Sequence, residues 1–257
     1  MITGQFKRNI FNLIVVICFL CCAGCAGDSA IKKDRALAMQ NLGVSLASQG
    51  NLRGGLEQLL KAVELDPERA DLHHDLALVY KGLYEYKLSL EHFNKALILK
   101  RDFPEAQNNL GTLYVVLQEW DLAIACFQNA ANDLLYKTPH FAYHNIGSVY
   151  YKQGKYEKAV ENYLQAIKYS ASYVEAWFDL GCTYEILNKN GDAINAYNTA
   201  ILHNPDHPAP HFNLGKLYLK LNRIDDGAKE LNLAVKADPD GAFATESTKL
   251  LANMGQN

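Results

Sequence analysis

The sequence predicts an all-α solenoid of six antiparallel helix pairs, closed by a C-terminal capping helix. Three observations carry this expectation. First, a tripeptide recurs along the chain as Asn41-Leu42-Gly43, Asp75-Leu76-Ala77, Asn109-Leu110-Gly111, Asn145-Ile146-Gly147, Asp179-Leu180-Gly181 and Asn213-Leu214-Gly215. Its small residues are spaced by 34, 34, 36, 34 and 34 positions, a period that means stacked repeats. Second, other positions keep the same register. Three residues on stands Leu46, Tyr80, Tyr114, Tyr150, Tyr184 or Tyr218; sixteen on stands Leu59, Phe93, Phe127, Tyr163, Tyr197 or Leu231. Nineteen on is always alanine: Ala62, Ala96, Ala130, Ala166, Ala200 and Ala234. Third, apolar residues recur at helical spacing in two stretches per repeat, so each repeat is two amphipathic helices.

Each element follows from this register. Small residues such as Gly43 and Ala62 let the two helices approach, while Leu42, Leu46 and Leu59 fill the space between them. No pair buries its apolar face alone, and stacking supplies the core by nearest-neighbour contact. All seven prolines fall at repeat junctions. Pro67, Pro205 and Pro239 end the turn after a second helix, Pro104 and Pro208 start a first helix, Pro210 lies in a first turn, and Pro139 lies in the two-residue insertion. Leu250, Leu251 and Met254 continue apolar spacing over 242–257, the expected capping helix. The length and register resemble the tetratricopeptide repeat (TPR), over 36–241 in units 36–69, 70–103, 104–139, 140–173, 174–207 and 208–241. That resemblance implies a right-handed superhelix.

The N-terminus reads as an export signal. Lys7 and Arg8 precede an uninterrupted apolar run, Leu13 to Cys22, too short to span a bilayer, which needs about 20 residues. Ala23-Gly24-Cys25 then resembles a lipobox, which implies cleavage of residues 1–24 and lipidation of Cys25. Cys21 and Cys22 are rival sites, without two small residues before them, and an ordinary signal peptide or an uncleaved anchor also fits the run. Residues 25–35 would be the lipidated cysteine and a short tether, at most about 40 Å when extended. Ala26, rather than Asp, resembles lipoproteins sorted to the outer membrane. Four of the six cysteines belong to this leader, leaving Cys126 and Cys182 two repeats apart, so no disulfide framework is expected.

Composition narrows the function. The chain is 49% apolar with a formal charge of −3 and no cluster of Lys and Arg, which argues against nucleic acid as a partner. There is no Gly-x-Ser-x-Gly elbow, no phosphate-cradling loop and no His-Glu-x-x-His. His203, His207 and His211 lie four apart, as do His140 and His144, but prolines interrupt the first set. No catalysis, cofactor, metal or small-molecule substrate is expected.

Partner binding is the remaining class. Asn41, Asp75, Asn109, Asn145, Asp179 and Asn213 hold one position of every first helix, and in TPR proteins these helices line the concave groove. An amide ladder there offers a peptide backbone both donor and acceptor; the same residues also serve to satisfy neighbouring loops. Groove positions read by register include His144, Ser148 and Cys182, with aromatics Phe141, Tyr151, Phe178 and Phe212 in repeats four to six. The candidate binding residues are therefore Asn109, Asn145, Asp179, Asn213, Phe141, Phe178, Phe212 and Tyr151. The Lys/Arg clamp with which some TPR cochaperones hold a C-terminal carboxylate is missing.

A lipoprotein leader, six TPRs, a terminal helix and the longer connection Ala131-Asn132-Asp133-Leu134-Leu135-Tyr136 together resemble the pilotins of type IV pilus biogenesis, of the PilF, PilW and Tgl type. The resemblance implies a periplasm-facing outer-membrane lipoprotein that promotes localisation and multimerisation of a secretin. A general TPR scaffold lipoprotein docking periplasmic peptidases or cell-wall enzymes is the alternative.

Overall fold

A computed structural model of the chain describes residues 30–254. The expected signal and Cys25 lie outside the described residues. Within these bounds the chain is all-helical, without a strand. It divides into two compact units at Ala106/Gln107. The first holds α1 (residues 30–48), α2 (Leu52–Leu65), α3 (Ala70–Gly82) and α4 (Tyr86–Leu99). Helix α5 (Pro104–Val116) begins in its last residues and continues into the second unit. The second unit continues with α6 (Trp120–Ala131), α7 (Pro139–Lys152), α8 (Tyr156–Tyr169), α9 (Val174–Ile186), α10 (Asn190–His203), α11 (Pro208–Lys220), α12 (Ile224–Ala237) and α13 (Ala242–Met254). Odd-numbered helices up to α11 are the first helices of the repeats.

One backbone device turns each first helix into its second. Gly50, Tyr84, Gln118, Gly154, Asn188 and Asn222 all have φ between 57° and 86°, and each lies seven residues beyond the repeat's small residue. The N–H after each of them donates to a carbonyl five residues back, as in Glu85 to Tyr80 at 2.9 Å and Lys155 to Tyr150 at 2.9 Å. This is the Schellman closure of a helix end, and the next helix starts at once.

The small residue is set by what faces it. A Cβ added to Gly111 would lie 2.5 Å from Phe127 Cε1, and one added to Gly181 would lie 2.5 Å from Tyr197 Cε1. Both rings are wholly buried. In the second repeat Ala77 takes the position, and Ser89 Oγ donates to its carbonyl at 2.7 Å.

The signature leucine packs on the preceding repeat. Leu180 clusters with Ala159 and Tyr163 of α8, and Leu214 with Ala193 and Tyr197 of α10. Leu76 clusters with Leu59 and Ala62 of α2. This corrects the expectation for Leu42, which stays 50% exposed because no second helix precedes α1 among the described residues. Helix α1 starts at residue 30, so residues 30–35, which contain neither Gly nor Pro, are helical.

The tryptophan position of the repeat obeys a hydrogen-bond rule. His73 Nε2, Trp177 Nε1 and His211 Nε2 each meet the carbonyl six residues earlier, of Pro67, Ala171 and Pro205, at 2.8, 2.8 and 3.0 Å. A carbonyl only accepts, so each ring places an N–H there. Between α6 and α7 the chain makes a turn in which Leu135 N–H donates to Asp133 Oδ1 at 2.8 Å. Tyr136 is buried with Phe127 and Ala142, whereas Leu134 and Leu135 face solvent. Pro139 does not sit in the insertion but opens α7, its fixed φ suited to a first helical residue. Helix α13 packs on α11 and α12, with Phe243 5.3 Å from Phe212.

Candidate partner-binding groove

The polar ladder is partly committed within the protein. In the second unit Asn145 Nδ2 donates to Asn108 Oδ1 at 3.1 Å, and Asp179 Oδ2 meets His144 Nε2 at 2.8 Å. Asn213 Nδ2 donates to Cys182 Sγ at 3.4 Å. In the first unit Gln40 Nε2 donates to Asp75 Oδ2 at 2.6 Å. Each bond ties a first helix to the first helix of the preceding repeat. These bonds do not involve Asn145 Oδ1 or Asp179 Oδ1, whereas Asp75 Oδ1 also lies 3.4 Å from His74 Nδ1. Asn109 is half-buried on α5, and its carbonyl accepts from Thr112 Oγ1 at 2.7 Å.

Two depressions open on either side of α7. The larger, about 370 Å³, is lined by Ser148, Tyr151, Lys152, Tyr163, Phe178, Asp179 and Cys182. The smaller, about 240 Å³, is lined by Thr112, Val115, Phe127, Asn145, Ser148, Val149 and Lys152. Ser148 and Lys152 belong to both, one helical turn apart on α7. Among the sequence-predicted residues the structure therefore brings together Asn145, Tyr151, Phe178 and Asp179. Two of the lining groups are held neutral: burial pushes the Cys182 thiol up to about 11 and raises the Tyr163 hydroxyl well above the ordinary tyrosine range.

Phe141 stands at the edge of this face, 41% exposed. Its ring lies 5.4 Å from Tyr173, edge-on, and 4.2 Å from His140. Tyr173 Oη also lies 3.4 Å from His144 Nδ1, joining Phe141 to the His144–Asp179 pair. Burial, with His144 adding to it, holds His140 below the ordinary histidine range. Phe212 is elsewhere engaged: Phe243 covers one side and Lys216 Nζ sits 5.1 Å from its ring centre. Sequence reasoning missed Tyr173 and Lys152. Tyr173 ends a connection outside the repeat's signature, whereas Lys152, five residues beyond Gly147, was open to reading by register.

His207 and His211 serve the fold. His207 Nδ1 accepts from Ala209 N–H at 3.2 Å and caps α11, His211 is buried against Pro205 and Glu230, and His203 is exposed. The three do not converge.

Known proteins match at the level of repeat and of fold. Models of the TPR repeat match residues 147–187, and of the tetratricopeptide repeat 187–252. The type IV pilus assembly protein PilF of Pseudomonas aeruginosa is 29% identical over 127 residues, 49% of this chain and 50% of PilF. The lipoprotein NlpI homolog of Haemophilus influenzae is 27% identical over 166 residues, 64% of this chain and 52% of its own. The chain thus spans about half the length of either relative in sequence. In structure it is similar to P. aeruginosa PilF with a TM-score of 0.73, covering 85% of this chain and 98% of the other at 21% identity. PilW, described as a widely conserved type IV pilus biogenesis factor, gives 0.73 over 82% and 97% at 20% identity. The structural matches speak to the fold. The chain is built of TPR repeats and is related to type IV pilus biogenesis proteins.

Proposed function

We propose that this TPR protein, a relative of the pilus biogenesis factors, is a periplasm-facing outer-membrane lipoprotein anchored through Cys25. There it acts as a pilotin, promoting localisation and multimerisation of a secretin in type IV pilus biogenesis. The docking surface is the first-helix face of the second unit. The observation that carries this reading is the paired depression beside α7, lined by Tyr151 and Phe178 and flanked by exposed Phe141. Aromatic side chains accessible on a face with few competing charges are the composition of an interface hot spot. Asn109, Asn145, Asp179 and Asn213 contribute polar contacts of smaller weight, since a neutral hydrogen bond nets about 0.5–1.5 kcal/mol.

The test is Phe141→Ala with Phe178→Ala in cells, with circular dichroism of the purified variant to check its fold. Truncating a hot-spot aromatic costs about 2 kcal/mol or more, so secretin multimers and twitching motility are expected to be lost at normal lipoprotein abundance. Because Phe178 also packs against Tyr197, Phe141→Ser alone serves as a second variant at an exposed position. Normal secretin assembly in both folded variants would remove the groove from this role. Labelling with a fatty-acid probe should mark the wild type and not Cys25→Ser.

The relation to the NlpI homolog, over a larger share of the chain, favours a second reading, a general scaffold lipoprotein docking periplasmic peptidases or cell-wall enzymes. Affinity capture from envelope extracts separates the two by whether a secretin or a hydrolase dominates.

A further inference from the structure

We propose that the paired depression beside α7 selects an extended segment bearing an acidic residue between two apolar side chains, with Lys152 as the reader of the acid. The inference rests on the reading of this face as a docking surface and adds the chemistry of the segment that docks.

Charge accounting singles out Lys152. Of the residues lining the two depressions, only Lys152 and Asp179 carry charge. Asp179 faces His144 Nε2 at 2.8 Å and is also bonded through its backbone, its carbonyl accepting from Thr183 Oγ1 at 2.6 Å. Lys152 is exposed in the last turn of α7 and makes no ion pair among the described residues. Other lysines of this unit are differently placed: Lys158 and Lys189 lie over the rings of Tyr150 and Tyr184, and Lys216 over Phe212. Lys152 is therefore the charged lining group without a side-chain partner among the described residues, and it sits at the wall the two depressions share.

Size and spacing give the rest. The larger depression, walled by Tyr151, Tyr163 and Phe178, suits an aromatic side chain; the smaller, walled by Val115, Phe127 and Val149, suits a branched aliphatic one. They flank one helix, and packed helices lie about 8–10 Å apart. A segment in the polyproline II conformation rises about 3.1 Å per residue with three residues per turn, so apolar side chains three positions apart share one face about 9 Å apart. An Asp or Glu between them meets the ammonium group at the shared wall, and Asn145 Oδ1 is left to accept a backbone N–H.

Selection of a random dodecapeptide display library on the full chain tests this. Wild type should enrich sequences in which Asp or Glu lies between two apolar residues. Lys152→Glu should exchange that preference for Lys or Arg, and Lys152→Met should abolish it while keeping the apolar pair. Peptides selected on wild type should bind Lys152→Glu on the order of tenfold more weakly, a difference of about 1.4 kcal/mol. Apolar pairs without a charge preference, lost with Phe178→Ala, would overturn this proposal and leave the groove reading standing. An acidic preference unchanged in Lys152→Glu would overturn the assignment to Lys152. No enrichment at all would overturn both.

Discussion

Tyr84 shows at the scale of a single residue how the repeat tolerates imperfect local chemistry. It occupies the left-handed turn position with φ 64° although 79% exposed, its nearest ring neighbour being Tyr86 at 6.2 Å. Little tertiary packing compensates the backbone strain, which for a non-glycine residue is about 1–2 kcal/mol. Glycine removes the strain but loses about 0.5–1 kcal/mol to the entropy of the unfolded chain. Tyr84→Gly and Gln118→Gly should therefore each stabilise by about 0.5–1 kcal/mol in denaturant titrations. Asn188→Gly should do less, because Asn tolerates this conformation. Gly154→Ala should destabilise by about 1 kcal/mol, although open space surrounds its Cβ, so the loss would be backbone strain alone. Equal stability across the series would mean that the turn relaxes when its residue changes.

Helix pairs explain how equivalent positions acquire different chemistry. In α3 and α11 the same histidine position bonds the loop carbonyl through Nε2, but the partner on the following helix differs. His73 Nδ1 faces His92 Nδ1 at 3.0 Å, and His211 Nδ1 faces Glu230 Oε2 at 2.7 Å. Burial holds His92 below its ordinary value of 6.5, and His73 adds to that. The folded protein thus keeps this ring neutral at a pH where the unfolded chain takes up a proton. Its contribution is complete above about pH 6.5 and falls as pH drops below it, because the unfolded state there binds more protons. Wild type should lose denaturation midpoint between about pH 7.5 and about pH 5. His92→Phe, which keeps the stack on Tyr80, should lose less over the same interval. Identical slopes in both proteins would remove the histidine pair from the account.

For the whole molecule, an array held by nearest-neighbour contacts leaves an apolar face at each end. At the C-terminal end α13 supplies the cover: Ala244 and Ser247 are buried, and Phe243 packs on Phe212. Deleting residues 242–257 should cost about 2–3 kcal/mol, the worth of burying one large apolar side chain. That corresponds to a melting temperature lower by roughly 5–10 °C. Binding of a hydrophobic dye should rise together with that loss. An unchanged melt would show that the last repeat closes its own face.

The sequence by itself determined the array, because a 34-residue period with small, aromatic and alanine positions in register admits stacked helix pairs and little else. Gly181 against Tyr197 is legible as a spacing, since sixteen residues always separate a small residue from a large one. Tertiary structure alone decided how the candidate site is wired. Periodicity places Asn145 and Asp179 on the groove face but does not name their partners, and only stacking shows that Asn108 and His144 claim one polar atom of each. The same holds for Phe212, read as a groove aromatic and found under Phe243. Tyr173 and the two depressions at Lys152 depend on how neighbouring helices sit, at distances no single-chain spacing encodes. A helical pattern states which face a residue occupies; the free energy of its contacts belongs to whatever packs against that face.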